Sequence, residues 1–237
     1  MRPSIAIFLV CVFSFPASII SAFGEKPIWS KQATALGLSC SPNSRPIPSP
    51  DHRFLVEVLC DKHDEAEPIY SLLVVTASHR YESPLDEGAH ELLWAPNSKS
   101  FFIDGSTNAN SGFFVSVYQV NPDVGIKKVD ITTAAQKDMC KVYDRDEKDC
   151  LSSVSGPEYN MSGLAWAKSS SAIYVFAEVP CGTSFGNNMC QVFGYKLDAF
   201  DGTILTRLSA RETKRRWGKY AAWKVHVPEP PYYAPAK

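Results

Sequence analysis

Apolar positions along this chain fall mainly at alternate residues, in short runs separated by polar turn residues. That is the period of half-buried β-strands, not of helices. Phe54–Cys60, Ile69–Thr76 and Ala172–Val179 each read as a strand. In Gly112–Val120, alternation places Phe114, Ser116, Tyr118 and Val120 on one face and Phe113, Val115, Val117 and Gln119 on the other. Both faces are largely apolar, so this segment is predicted to be an inner strand. Phe101–Ile103 is predicted to be short and to end at the turn pair Asp104-Gly105. Towards the C-terminus, Gln191–Leu197 and Thr203–Leu208 flank Asp201-Gly202, a pair suited to the positive φ of a tight hairpin. With Ala172–Val179 they form a three-strand meander. Helix signals are few. Thr133-Ala-Ala-Gln136 and Ser209-Ala-Arg-Glu212 both fit a capping box, predicting short helices over 134–142 and 210–217, the second stopped at Gly218.

One pattern recurs three times. A polar turn (Ser49-Pro-Asp-His-Arg53, Ala95-Pro-Asn-Ser-Lys99, Ala167-Lys-Ser-Ser-Ser171) is followed each time by an apolar strand. In two copies a tryptophan, Trp94 or Trp166, precedes the turn. Proline presets φ at the first corner, and Asp or Asn tolerates the next. These segments resemble the blade repeat of TolB-type and related WD-like β-propellers, in which tryptophan, serine, proline, aspartate, glycine and lysine follow in order. Trp94 to Lys99 carry the resemblance most fully, Ser49 to Arg53 lack the tryptophan, and Trp166 to Ser171 lack the proline. The usual glycine is absent from all three. The resemblance implies a propeller-like architecture and no particular activity, because propellers host many functions.

Phe54 and Phe101 are 47 residues apart, close to a blade length of roughly 40–45, whereas Phe101 and Ile173 are 72 apart. An insertion therefore lies between the second and third copies. Three copies are fewer than the roughly four to eight blades that close a propeller. The predicted fold class is all-β: a small or incomplete β-propeller-like array of antiparallel sheets with inserted loops and two short helices.

The first residues change the picture. Arg2, the apolar run Ile5 to Phe15, and the small residues Ser21, Ala22 and Gly24 have the layout of a secretory signal peptide. Cleavage is expected after Ala22 or Gly24. The predicted organisation is a leader over 1–24, one β-propeller-like domain over 25–227, and a proline-rich extended tail over 228–237. The implied destination is the periplasm or the medium. Seven cysteines are present. Cys11 leaves with the leader, and an even set remains: Cys40, Cys60, Cys140, Cys150, Cys181 and Cys190. Chain order favours Cys40–Cys60, Cys140–Cys150 and Cys181–Cys190 as disulfides, among 15 connectivities that six cysteines allow. None is spaced as zinc ligands are. A formal charge of −1 gives no global attraction to nucleic acid or anionic membrane. No membrane segment is expected once the leader is removed.

Candidate chemistry is sparse. There is no nucleophile elbow, phosphate-binding glycine loop or dinucleotide fingerprint. His90-Glu-Leu-Leu-Trp94 begins like a zinc-protease motif but has Trp94 where the second histidine is needed. The loop around His63 and the acidic run Asp144–Asp149 are read as solvated, not as cation sites. No catalytic residue, metal or cofactor is expected. The predicted function is an exported, non-catalytic binding or scaffold protein with an unknown protein or glycan partner. One alternative is a secreted hydrolase or lyase built from His79, Asp86, His90 and Glu91. Another is a glycan- or anionic-surface-binding protein. The candidate binding residues are Phe185 in the loop between Cys181 and Cys190, and the cation–aromatic stretch containing Arg215, Arg216, Trp217 and Trp223. Asn160-Met-Ser162 is a glycosylation sequon, meaningful in a eukaryotic secretory host.

Overall fold

The structure is a computed structural model that describes residues 27–36, 46–61, 69–85, 90–108, 111–142, 159–179 and 190–227. Thirteen strands form three antiparallel sheets among the described residues. The first sheet orders β2 (Ile47–Pro48), β3 (Leu55–Asp61), β4 (Ile69–Val75) and β5 (Arg80–Leu85). The second orders β6 (His90–Trp94), β7 (Ser100–Asn108), β8 (Ser111–Asn121) and β9 (Gly125–Val129), with β1 (Thr34–Leu36) added against β6. The third orders β10 (Asn160–Trp166), β11 (Ala172–Glu178), β12 (Val192–Asp198) and β13 (Ile204–Ser209). Apart from β1, which joins the second sheet out of chain order, each sheet is a meander of consecutive strands, and none closes on itself. Helix α1 (Thr133–Val142) links the second sheet towards the third, and α2 (Ala210–Trp217) follows β13.

The sheets stack in chain order, because the middle sheet is apolar on both faces. One face of it, with Leu92, Trp94, Phe101, Ile103, Tyr118 and Val120, packs on Phe54, Val56, Val58, Leu72 and Val74 of the first sheet. Its other face, with Phe102, Val115 and Val117, packs on Ile173, Val175, Tyr195 and Leu197 of the third sheet and on Ala135 and Met139 of α1. As the alternation predicts, β8 is an inner strand with both faces buried. The outer face of the third sheet is covered in turn: Trp217 of α2, Ala221 and Val225 close over Leu164, Phe176, Val192 and Leu208.

The three repeated turns adopt one geometry. In each, the first residue's N–H donates to the carbonyl five positions on (Ser49 to Phe54, Ala95 to Ser100, Ala167 to Ala172) at 2.8–2.9 Å. The fourth residue has positive φ every time: His52 at 58°, Ser98 at 60° and Ser170 at 58°. This is the position of the glycine that the sequence lacks. The turns also join successive sheets. The Asp51 N–H donates to Ser98 Oγ at 3.1 Å, and the Asn97 N–H donates to Ser170 Oγ at 3.2 Å. The tryptophans repeat this logic. Trp94 Nε1 donates to the Ile47 carbonyl at 3.4 Å, and Trp166 Nε1 donates to the Leu93 carbonyl at 3.0 Å. In both cases the acceptor lies two residues before the previous turn.

Two local expectations are corrected. Asp104-Gly105 is not a turn, because β7 runs straight through it to Asn108. Gly105 is required there by close approach: a Cβ would sit 2.8 Å or less from the rings of Phe114 and His90. At α1 the Thr133 capping box does not form. Asp130 caps instead, its Oδ1 accepting from the N–H groups of Thr132 and Thr133 at 3.0 and 3.2 Å. The Ser209–Glu212 box does form in both directions. Gly202 has φ +76° in the β12–β13 turn, and a Cβ there would lie 2.8 Å from Ile131 Cα.

Candidate functional site: an aromatic cleft between the chain's two ends

The segment before β1 is fastened by a buried carboxylate. Glu91 on β6 accepts from the backbone N–H groups of Ile28, Trp29 and Ser30, with distances of 2.8 Å to Ile28 and 3.2 Å to Trp29. Across the β6–β7 pair, Glu91 faces Asp104. Asp104 Oδ1 accepts from the Gly163 N–H, which ties the middle sheet to the third. Asp104 Oδ2 is buried, with no N–H or O–H donor among the described residues. Burial, and then the neighbouring Glu91 charge, push the Asp104 carboxyl well above the usual aspartate range, against the Gly163 bond. Burial also raises Glu91, opposed by its three backbone donors. Two buried carboxyls this close cannot both ionise. Glu91 holds three backbone donors that favour its charged form, whereas Asp104 has one, so burial raises the Asp104 carboxyl further.

The fastened segment then pairs with the C-terminal stretch. Lys31 N–H donates to the Tyr220 carbonyl at 2.8 Å, and Ala222 N–H donates to the Trp29 carbonyl at 2.9 Å. Between these two stretches and the outer face of β10–β11 lies a cleft of about 270 Å³. Trp29, Phe113, Phe176 and Trp223 wall it, with Ile28 and Ser162. Trp29 and Phe113 meet edge-to-face, with centroids 5.5 Å apart at 69°, and Phe176 and Trp223 do so at 5.0 Å and 83°. The Trp29 indole nitrogen is buried with no hydrogen-bond partner among the described residues. Glu178, at the end of β11, is half-buried in the cleft. Burial raises its carboxyl above the usual glutamate range, partly offset by a hydrogen bond from Asn160 and the nearby His226. Lys224 and His226 are exposed at its edge.

The structure separates the residues singled out in the sequence. Trp217 is buried and stacked on Tyr174, with centroids 4.8 Å apart at 12°, so it is core under α2. Arg215 and Arg216 are exposed on that helix, while Trp223 enters the cleft. Phe185 and Asp86 lie outside the described residues. His79 is exposed in the β4–β5 turn, stacked on Tyr81. His90 and Glu91 are neighbours on β6 and so face opposite sides of the sheet. These histidines and Glu91 therefore form no common site. Cys140 and Cys190 each belong to a disulfide, while Cys40, Cys150 and Cys181 lie outside the described residues. No group of three or more His, Cys, Asp or Glu side chains suited to a metal is present among the described residues. Nor is any helix there long and apolar enough to cross a membrane.

Sequence reasoning missed Trp29, Phe113, Phe176 and Glu178 because they come from three separated segments. Only Glu178, an acidic residue ending an otherwise apolar run, left a signal. A larger cleft of about 360 Å³, bordered by Asn97, Lys99, Gln119, Val124 and Phe200, has no buried ionisable group. Comparison with protein-family models, with curated proteins and with solved structures finds no match.

Proposed function

We propose that the chain is an exported, non-catalytic binding protein, built as an open array of three propeller-like blades, whose ligand seats in the aromatic cleft. The observation that carries this reading is the cleft itself. Four aromatic rings and one half-buried carboxylate converge where the two ends of the described chain pair. Concave sites lined by rings with a few placed polar groups are the usual form of a small-ligand site. The recurrent turn, with its positive-φ fourth residue and its bonds to the next sheet, supports the blade reading. Export rests on the leader over 1–24 and on the six remaining cysteines, proposed to pair Cys40–Cys60, Cys140–Cys150 and Cys181–Cys190.

The test is a small-molecule screen on the oxidised chain from Glu25, read by tryptophan fluorescence and thermal shift. Trp223→Ala serves as the control. Hits whose signal disappears in Trp223→Ala support the reading. A screen with no hit sensitive to this substitution overturns it. Non-reducing peptide mapping checks the disulfides independently.

A further inference from the structure

We propose that the cleft receives the alkylated ammonium group of a zwitterionic ligand, with Glu178 facing the cation and Lys224 and His226 facing the anion. The inference rests on the binding reading above and names its ligand class. Its ground is the arrangement of the rings. A sugar is held by a flat, exposed aromatic platform, because its apolar face is flat. Here the rings come as two near-perpendicular pairs, at 69° and 83°, which form corners. A rounded tetra-substituted cation can touch several ring faces at once, and each face attracts positive charge.

The polar groups agree with this shape. Glu178 is the only carboxylate lining the cleft among the described residues, and it is half-buried, where a charge is weakly screened. Asn160, its cross-strand neighbour on β10, hydrogen-bonds to the carboxylate. Lys224 and His226 are more exposed, at the edge. A simple cation would meet Lys224 unfavourably on entry. A ligand that carries its own anion beside the ammonium meets Lys224 and Glu178 with opposite charges, and His226 can donate an N–H to the same anion.

Two probes of equal shape separate the contributions. Trimethylammonioacetate and 3,3-dimethylbutanoate differ only in nitrogen or carbon at the branch point, so both carry the anion and only one carries the cation. Each is titrated into the oxidised chain from Glu25 at constant ionic strength, followed by tryptophan fluorescence and by amide NMR. The expected result is saturable binding of trimethylammonioacetate about tenfold tighter than its carbon isostere. Glu178→Gln should bring the ratio close to one without lowering Tm, and Trp223→Ala should remove binding of both. Equal affinity for the two probes overturns the ammonium assignment but leaves a binding cleft in place. Preference for a neutral oligosaccharide does the same. If neither probe nor any screened compound gives a response sensitive to Trp223→Ala, the assignment and the binding reading fall together.

Discussion

At the scale of single residues, the informative positions are those held against their intrinsic preference. His52, Ser98 and Ser170 sit at φ near +60°, a region that penalises a Cβ by roughly 1–2 kcal/mol. Ser98 and Ser170 are compensated, since each hydroxyl accepts an N–H from the preceding turn. His52 is exposed and begins the series. His52→Gly is therefore expected to stabilise the protein by about 0.5–1 kcal/mol, whereas Ser98→Gly should give no gain because it strands the Asp51 N–H. Urea denaturation of both variants checks the contrast. Asp104 is the second such position. Its folded-state pKa is raised, so its contribution is full below the ordinary aspartate range. It is lost progressively as pH rises from there towards the raised value. Asp104→Asn imitates the protonated acid, and is expected to flatten that decline while keeping the Gly163 bond. A stability profile from pH 4 to 9 that is identical in the two proteins would refute the raised Asp104 carboxyl. All of these residues were visible in the sequence, but the burial of Asp104 and the inter-turn bonds of Ser98 and Ser170 were not, because they depend on partners at least 13 residues away in the chain.

At the scale of elements, alternation predicted the strands well because each sheet face is buried or exposed as a unit. It failed at Asp104-Gly105. There the acid is matched by Glu91 across the strand pair, and the glycine makes room for Phe114. Turn propensity is local, whereas both of these causes are tertiary. The paired elements are also joined edgewise by the two tryptophan indoles. Trp166→Phe keeps the ring near Phe102, whose centroid lies 5.9 Å away, but removes the donor to the Leu93 carbonyl. The expected cost is about 1–2 kcal/mol, with increased amide exchange in β6 and β10 but not in β3 or β4. Exchange that rises evenly over all three sheets would show that the indole bond does not couple this pair in particular.

At the scale of the whole molecule, three sheets stack without closing, so the outer face of the third has to be covered by other means. Helix α2 and the stretch through Val225 do this, and the same stretch pairs with residues 29–31. Truncation after Gly218 removes Ala221, Trp223 and Val225 from that layer and breaks both backbone bonds to the N-terminal segment. A loss of at least about 3 kcal/mol is expected, together with loss of the cleft. Denaturation and fluorescence titration measure the two effects separately. Retained stability would mean that the C-terminal layer adds little to the fold.

The sequence by itself determined the all-β class, most strand positions, the meander near the C-terminus, the second helix with its reciprocal cap, and the three-fold turn pattern. Each of these follows from period, propensity or a motif within a few residues, and so needs no knowledge of distant partners. Only the tertiary structure decided that Trp217 is core while Trp223 lines a cleft, six residues further on. It also decided that Glu91 fastens a backbone segment more than sixty residues away, and that Glu178 stands among rings from four segments. Those outcomes depend on which sheet face is covered and by what. That is settled when the layers pack, because burial is a property of the assembled stack and not of any one strand.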